Sequence, residues 1–169
     1  MLFRSTAGPF ATGTLNSPRL WSGTIYYGSH NITGSAGYGF FGPGCAGSTG
    51  VSHLTGSQPI VGQTLTVTAN SLPSPLAIML TGFSNTISSS GPLPLDLTIL
   101  GAPGCAARVS PDVTSLIFGG AGTASFNLPI PNNSSYSGFV LYNQCFVLDS
   151  GFNALGAVLS DGAGMVIGY

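Results

Sequence analysis

Apolar and polar residues alternate along much of the chain, and this period of two predicts β-strands. In residues 63–69, Leu65, Val67 and Ala69 alternate with threonines, the pattern of a strand with one buried face. Alternation or a short apolar run predicts further strands at 21–27, 75–80, 93–99, 124–130, 139–148 and 163–167. No window shows the apolar period of 3.6 residues that indicates a helix.

The predicted strands are separated by clusters of Gly, Pro, Ser and Asn, at residues 88–92, 119–122 and 131–135. Pro94 and Pro129 predict strand ends or sheet edges, because proline cannot donate to a backbone ladder. Short strands punctuated by turns are typical of an antiparallel β-sandwich, either Ig-like or jelly-roll-like. The sequence therefore predicts an all-β sandwich domain.

The first 37 residues differ from the rest, because they combine one predicted strand with long Gly/Ser/Thr connections. We interpret residues 1–37 as an extended N-terminal arm and residues 38–169 as the sandwich domain. An unpaired edge strand is a template for another chain unless charge or proline blocks it. The arm is expected either to dock on a neighbouring copy or to fold back as a first strand. Its candidate inter-subunit residues are Leu20, Trp21, Ile25, Tyr26 and Tyr27.

Charge is scarce: only 4% of the residues are charged, there is no Lys or Glu, and the net charge is −1. This gives no basic surface for nucleic acid or for an anionic membrane. A hydrophobic content of 43% is too high for a disordered chain. No apolar run approaches the roughly 18 residues that a membrane-spanning helix needs. A surface of hydroxyls, amides and glycine favours an exported structural protein, and its low charge favours self-association.

Gly37, Gly39 and Gly42 match the G-x-G-x-x-G pattern of dinucleotide-binding loops. That loop binds phosphate only between a strand and a helix, because the helix N-terminus provides the anion site. Here the next residues, 43–50, contain Pro and three Gly and cannot begin a helix. The motif is therefore interpreted as a turn.

Two Pro-Gly-Cys triplets end at Cys45 and Cys105 and place each thiol after a tight turn. A bond between these cysteines would close a loop of about 60 residues and stabilise the fold by about 4 kcal/mol in the chain-entropy model. Two reduced buried thiols, or a metal site with His30 or His53, remain the alternatives. Cys145 lies inside a predicted strand and is expected to be free and buried.

Residues that could perform catalysis are few. His30 and His53 have Ser29 and Ser52 as neighbours, but nothing in the spacing supplies the carboxylate that a Ser-His-Asp triad requires. Asp149 and a nearby Asn153 could contribute to a Ca²⁺ site, although two side chains fall short of six ligands and a turn is favoured. We expect no catalytic residue, no metal and no cofactor.

Several motifs occur in a fixed order: FFGPGC, LTGFSNT, PLPLDLTILGAPGC, VSPD, ASFNLPIPNN and CFVLDSGFNALGAVLSDG. In this order they resemble a β-sandwich domain recurrent in large secreted and cell-surface proteins of planctomycete-like bacteria. The resemblance covers about residues 38–168. It implies a fold and an extracellular or cell-surface location, but no particular activity.

Composition and resemblance together favour a non-enzymatic extracellular structural protein, a self-assembling subunit of a filament or surface layer whose partners are copies of itself. The alternative is an adhesion or carbohydrate-binding module that contacts surface polysaccharide, in which exposed rings stack on sugars. Its candidate residues are the aromatic side chains of the first part of the chain, Trp21, Tyr26, Tyr27, Tyr38, Phe40 and Phe41.

Overall fold

A computed structural model describes residues 34–169, and it confirms the predicted all-β antiparallel fold. Eight strands form the main sheet, and six two-residue strands lie in the connections. In chain order the strands are β1 (Gly37–Phe41), β2 (Ala46–Gly47), β3 (Gly50–Val51), β4 (His53–Gly56), β5 (Thr64–Asn70), β6 (Leu76–Gly82), β7 (Ile87–Ser88), β8 (Gly91–Pro92), β9 (Leu95–Asp96), β10 (Ala106–Ala107), β11 (Val113–Gly120), β12 (Thr123–Pro129), β13 (Val140–Leu148) and β14 (Ala157–Val166). Single 3-10 turns occur at Thr98–Leu100 and Ser134–Tyr136.

The main sheet has the order β1-β14-β13-β6-β11-β12-β5-β4 and turns a corner between β11 and β12. These two strands pair only through Gly119 and Gly120 before they diverge, so five strands form one layer and three form the other. At the far edge β4 approaches β14, where the Leu54 N–H donates to the Asp161 carboxylate at 2.8 Å. The result is a sandwich whose sheet is nearly closed into a barrel.

The core between the layers follows the predicted alternation. Leu65, Val67 and Ala69 of β5 are fully buried, while the hydroxyls of Thr66 and Thr68 bond to β12 on the outer face. The predicted strands at 75–80, 124–130 and 139–148 correspond to β6, β12 and β13. Pro129 is the last residue of β12, as expected of a proline at a strand end.

A second apolar layer covers the outer face of β13 and β14. The segment around residues 95–107 lies on this face, where Leu97, Ala102 and Leu159 are buried. The Gln144 side chain, itself fully buried, donates to the carbonyls of Ala106 and Ser160. β14 begins at Ala157, six residues before the start predicted at 163. Its first four residues are buried on both faces, so they do not show the alternation on which the prediction was based.

The strand predicted at 93–99 is wrong in most of its length, since only Leu95–Asp96 pair with β10. The Asp96 carboxylate accepts hydrogen bonds from the N–H and the hydroxyl of Thr98 at 2.8 and 2.7 Å. This local turn competes with a ladder and diverts the chain into the 3-10 turn that leaves Ile99 96% exposed.

The predicted arm at 1–37, with its strand at 21–27, lies outside the described residues except for positions 34–37. Gly34 and Ala36 exchange backbone hydrogen bonds with Tyr169, and β1 starts at Gly37 opposite Val166 of β14. The last four residues of the predicted arm are therefore tied to the C-terminus of the domain.

Candidate functional site

Cys45 and Cys105 form a disulfide, which confirms the predicted pairing and excludes the two alternatives of reduced thiols and a metal site at this pair. Each cysteine follows its Pro-Gly turn, their Cα atoms are 4.9 Å apart, and both are buried. Cys45 lies beside β14, where its N–H donates to the Leu159 carbonyl at 3.0 Å. The Leu159 N–H points at the Cys45 sulfur at 3.1 Å. A buried structural disulfide indicates that the protein folds in an oxidising environment outside the cytoplasm.

Cys145 is free and fully buried, as predicted. It faces the core from β13, opposite Met79 of β6. Burial raises the pKa of its thiol to about 12. The thiolate, which is the nucleophilic and metal-binding form, is therefore nearly absent at neutral pH.

The glycine-rich stretch is a strand followed by a turn; the predicted turn is confirmed at Gly42, whereas the strand before it was not predicted. Gly37 and Gly39 belong to β1, and Gly42 has a positive φ of 61° at the turn after it. A Cβ on Gly42 would lie 2.6 Å from the Arg108 guanidinium, whose Nε donates to the Pro43 carbonyl. The only guanidinium of the described residues thus closes over this turn.

His53 is exposed at the start of β4, and its surroundings do not form a triad. The neighbouring Ser52 hydroxyl donates to the Ser71 carbonyl, 3.0 Å away, and is directed away from His53. The Asp161 carboxylate, whose pKa burial raises and the charge of His53 lowers, is engaged with the Leu54 N–H. His30 lies outside the described residues.

Tyr38 and Asp161 lie at the seam where β4 approaches β1 and β14. The Tyr38 ring packs against Gly56 of β4, and its buried hydroxyl has no hydrogen-bond partner among the described residues. Burial raises the pKa of Tyr38, and the Asp161 charge raises it further. Burial also raises the pKa of Asp161, against the opposing effects of the Leu54 N–H and of His53.

The side chains of Asp149 and Asn153 both hydrogen-bond to backbone groups. The buried Asp149 carboxylate accepts from the N–H and hydroxyl of Ser48 at 2.6 and 2.8 Å. The Asn153 amide bonds to both backbone groups of Ala157, so it closes the turn that precedes β14. Within residues 34–169 no group of three His, Cys, Asp or Glu side chains is placed to hold a metal ion.

The three candidate aromatic residues that the structure describes, Tyr38, Phe40 and Phe41, do not form a flat platform with one another. Tyr38 and Phe40 meet edge to face at 76°, and Phe41 meets Tyr142 at 89°. Sugar stacking needs exposed ring faces that lie in one plane. Rings that pack edge to face are perpendicular to each other and cannot form such a plane. Trp21, Tyr26 and Tyr27 lie outside the described residues, as do the other candidate inter-subunit residues, Leu20 and Ile25.

A cavity of about 270 Å³ opens at the end of the sandwich where β6 and β12 end and β11 and β13 begin. β11 and β12 pair only next to the turn that joins them, at the end of the hairpin away from the cavity. Beyond these pairs the two strands diverge, which leaves a wedge-shaped space between the layers. Its walls include Val113, Phe126, Leu128, Phe139 and Ile167. Alternation predicted the strand at 124–130 that contains Phe126 and Leu128, but nothing in the sequence indicated that the layers separate here.

Residues 34–169 contain no helix that is long and apolar enough to cross a membrane. No protein-family model, curated protein or solved structure matches the chain.

Proposed function

We propose that this protein is a non-enzymatic structural subunit of an extracellular assembly, in which copies of the chain associate to form a filament or a surface layer. The disulfide supports the extracellular part of the proposal, because it requires an oxidising compartment. The resemblance to secreted and cell-surface bacterial domains supports the same location.

The observation that carries the proposal is an apolar outer sheet face on β6 and β11. Residues that pair across these strands point to the same side, here away from the core. Leu116 and Phe118 are 55% and 66% exposed. We call this surface the apolar face; it comprises Leu76, Ile78, Leu80, Leu116 and Phe118.

Charge does not protect this surface from another chain. The eight residues of β11 include no charged side chain, so contact on this face would not bury an unpaired charge of this strand. A contiguous exposed apolar patch marks an interaction site in a soluble protein. With a net charge of −1, no electrostatic repulsion opposes contact between two copies.

The N-terminal segment is proposed as a second contact between copies, formed in trans. Residues 20–27 carry the apolar and aromatic side chains that a docked strand buries, Leu20, Trp21, Ile25, Tyr26 and Tyr27. A contact between two different surfaces of the same chain does not close on itself and so builds a fibre.

The test compares two arginine substitutions by sedimentation velocity and electron microscopy. Leu116→Arg places a charge in the apolar face, whereas Ile99→Arg places the same charge at a 96%-exposed position outside it. Because burying a leucine contributes about 1.5–3 kcal/mol, L116R should raise the concentration for half-assembly at least about tenfold. I99R should assemble like the parent chain.

Circular dichroism establishes that both variants are folded. Assembly of L116R at the parental concentration would remove the apolar face from the proposal, and a parent chain that stays monomeric at high concentration would contradict the function itself. Deleting residues 1–33 tests the second contact separately and retains Gly34 and Ala36, which bond to Tyr169.

A further inference from the structure

The cavity at the end of the sandwich has the properties of a small-molecule site. Its volume of about 270 Å³ exceeds the roughly 150 Å³ that suffices to bind benzene in an apolar cavity. It lies close to the lower end of ligand pockets, which begin near 300 Å³. A single substituted ring or a short aliphatic chain would fill it.

The lining is almost wholly carbon. Of the residues that form the walls, none is charged, and most are aromatic, branched or proline. Val113 and Thr81 face the cavity from paired positions of β11 and β6, while Phe126 and Leu128 face it from β12 in the other layer. Such walls favour a neutral ligand, because a charged one would lose its hydration without gaining a partner.

Two of the lining side chains carry a hydroxyl: Thr81, which is buried, and Tyr136, which is 39% exposed. The Thr81 Oγ1 accepts a hydrogen bond from the Asn143 Nδ2 at 2.9 Å, which leaves the hydroxyl proton of Thr81 available to donate. No acceptor for that proton is found among the described residues, and the Asn143 Oδ1, on a fully buried side chain, also has no partner there. Buried polar groups without partners are rare, which makes the Asn143 Oδ1 beside Thr81 an exception to be explained.

The carboxylate next to the lining residue Val113, that of Asp112, does not add a charge to the cavity wall. Asp112 precedes Val113, but one of its oxygens accepts from both the Phe83 N–H and the Ser110 hydroxyl, at 2.8 and 2.7 Å. These bonds hold the carboxylate at the connection between β6 and β11.

We infer that the cavity binds a small neutral apolar molecule carrying one hydrogen-bond acceptor, such as an aryl or alkyl ketone, with Thr81 donating to that acceptor. The site is separate from the proposed assembly contact. Thr81, Val113, Phe126 and Leu128 line it from the inner sides of their strands. Leu116 and Phe118 of the apolar face point outward.

Two probes of nearly equal shape test the inference on the full chain by isothermal titration calorimetry. Acetophenone carries the acceptor oxygen, and ethylbenzene lacks it. One added hydrogen bond predicts that acetophenone binds about threefold to tenfold more tightly. In Thr81→Val the two probes should bind equally, and Thr81→Ser, which keeps the hydroxyl, should restore the difference.

Val113→Trp fills the cavity and should abolish binding of both probes, while Ile99→Arg, far from the cavity in sequence and fully exposed, should bind both as the parent does. This arm remains informative if Thr81→Val does not fold. Failure of the parent to bind either probe, or unchanged binding by V113W, would overturn the site. Equal affinity of the parent for both probes would overturn the role of Thr81.

Discussion

Asp161 occupies the point where a regular backbone ladder is interrupted. Its carboxylate accepts the Leu54 N–H, which in a closed barrel would bond to a backbone carbonyl of the neighbouring strand. The position is half-buried, and burial of the carboxyl raises its pKa. The interaction joins residues 107 positions apart in the chain.

Replacing Asp161 by Asn should change the pH dependence of stability. An Asp whose pKa is raised by folding stabilises the folded state below the unfolded-state pKa, near 3.9, and this contribution is lost as pH rises through the higher folded-state value. Asn keeps an acceptor for Leu54 but does not ionise, so D161N should gain stability relative to the parent as pH rises through that window. Urea unfolding from pH 3 to pH 7 measures the difference; a constant difference across this range would contradict the prediction.

At the residue scale, the role of a side chain could be predicted from the sequence only where that role depends on neighbouring residues in the chain. The repeated Pro-Gly-Cys turn pointed to Cys45 and Cys105, and the strand around Cys145 pointed to a buried thiol. The role of Asp161 could not be predicted, because it depends on how closely β4 approaches β14 at the far edge of the sheet. The same holds for Thr81, whose importance arises from a cavity between two layers.

At the scale of single elements, the β11–β12 hairpin decides the architecture. The two strands share only two pairs of residues and then run in different layers, which places the apolar face on β11 and the cavity beside it. At Gly119 the Thr123 carbonyl oxygen and the Ala124 Cα approach the space that a Cβ would occupy. At Gly120 nothing lies within 4 Å of that position.

These adjacent glycines provide a matched pair of substitutions. Gly119→Ala should destabilise the domain by about 1–3 kcal/mol, because the methyl group forces apart the backbone at the corner. Gly120→Ala should change the free energy of unfolding by about 0.5 kcal/mol or less. Urea unfolding of both variants checks this, and equal stability of the two would show that the corner tolerates the displacement.

Alternation predicted the strands that have one buried and one polar face, such as β5 and β12. It missed β11, because Leu116 and Phe118 point outward while Ile117 points inward, so the run does not alternate. It overestimated the strand at 93–99, because the Asp96–Thr98 bonds form a turn inside an alternating stretch. In both cases the alternation of apolar and polar residues does not reveal what determines the local structure.

For the whole molecule, scarcity of charge determines how copies should interact. The described residues carry one arginine and four aspartates. All four carboxylates accept a backbone N–H within the fold: Asp96, Asp112, Asp149 and Asp161. Association through the apolar face therefore depends on apolar burial and not on ion pairs.

Assembly should consequently be almost insensitive to sodium chloride. Between about 0.05 M and about 0.5 M salt, where the Debye length shortens severalfold, the concentration for half-assembly should change less than about twofold. Ammonium sulfate, which strengthens apolar burial, should lower that concentration. Light scattering across both salt series measures the two effects, and a steep loss of assembly in sodium chloride would indicate that ion pairs hold the copies together.

The disulfide also limits how far the chain can lengthen under tension. Cys45 and Cys105 are 60 positions apart, so pulling on the two ends cannot extend the residues between them while the bond is intact. At about 3.4 Å per residue, this withholds roughly 200 Å of contour length. The withheld loop contains β4, β5 and β6, three strands of the main sheet, whereas β11 to β14 lie outside it. A subunit in a strained filament would therefore yield in its C-terminal strands while the cross-linked loop stays short, and a reducing environment would make the same filament far more extensible.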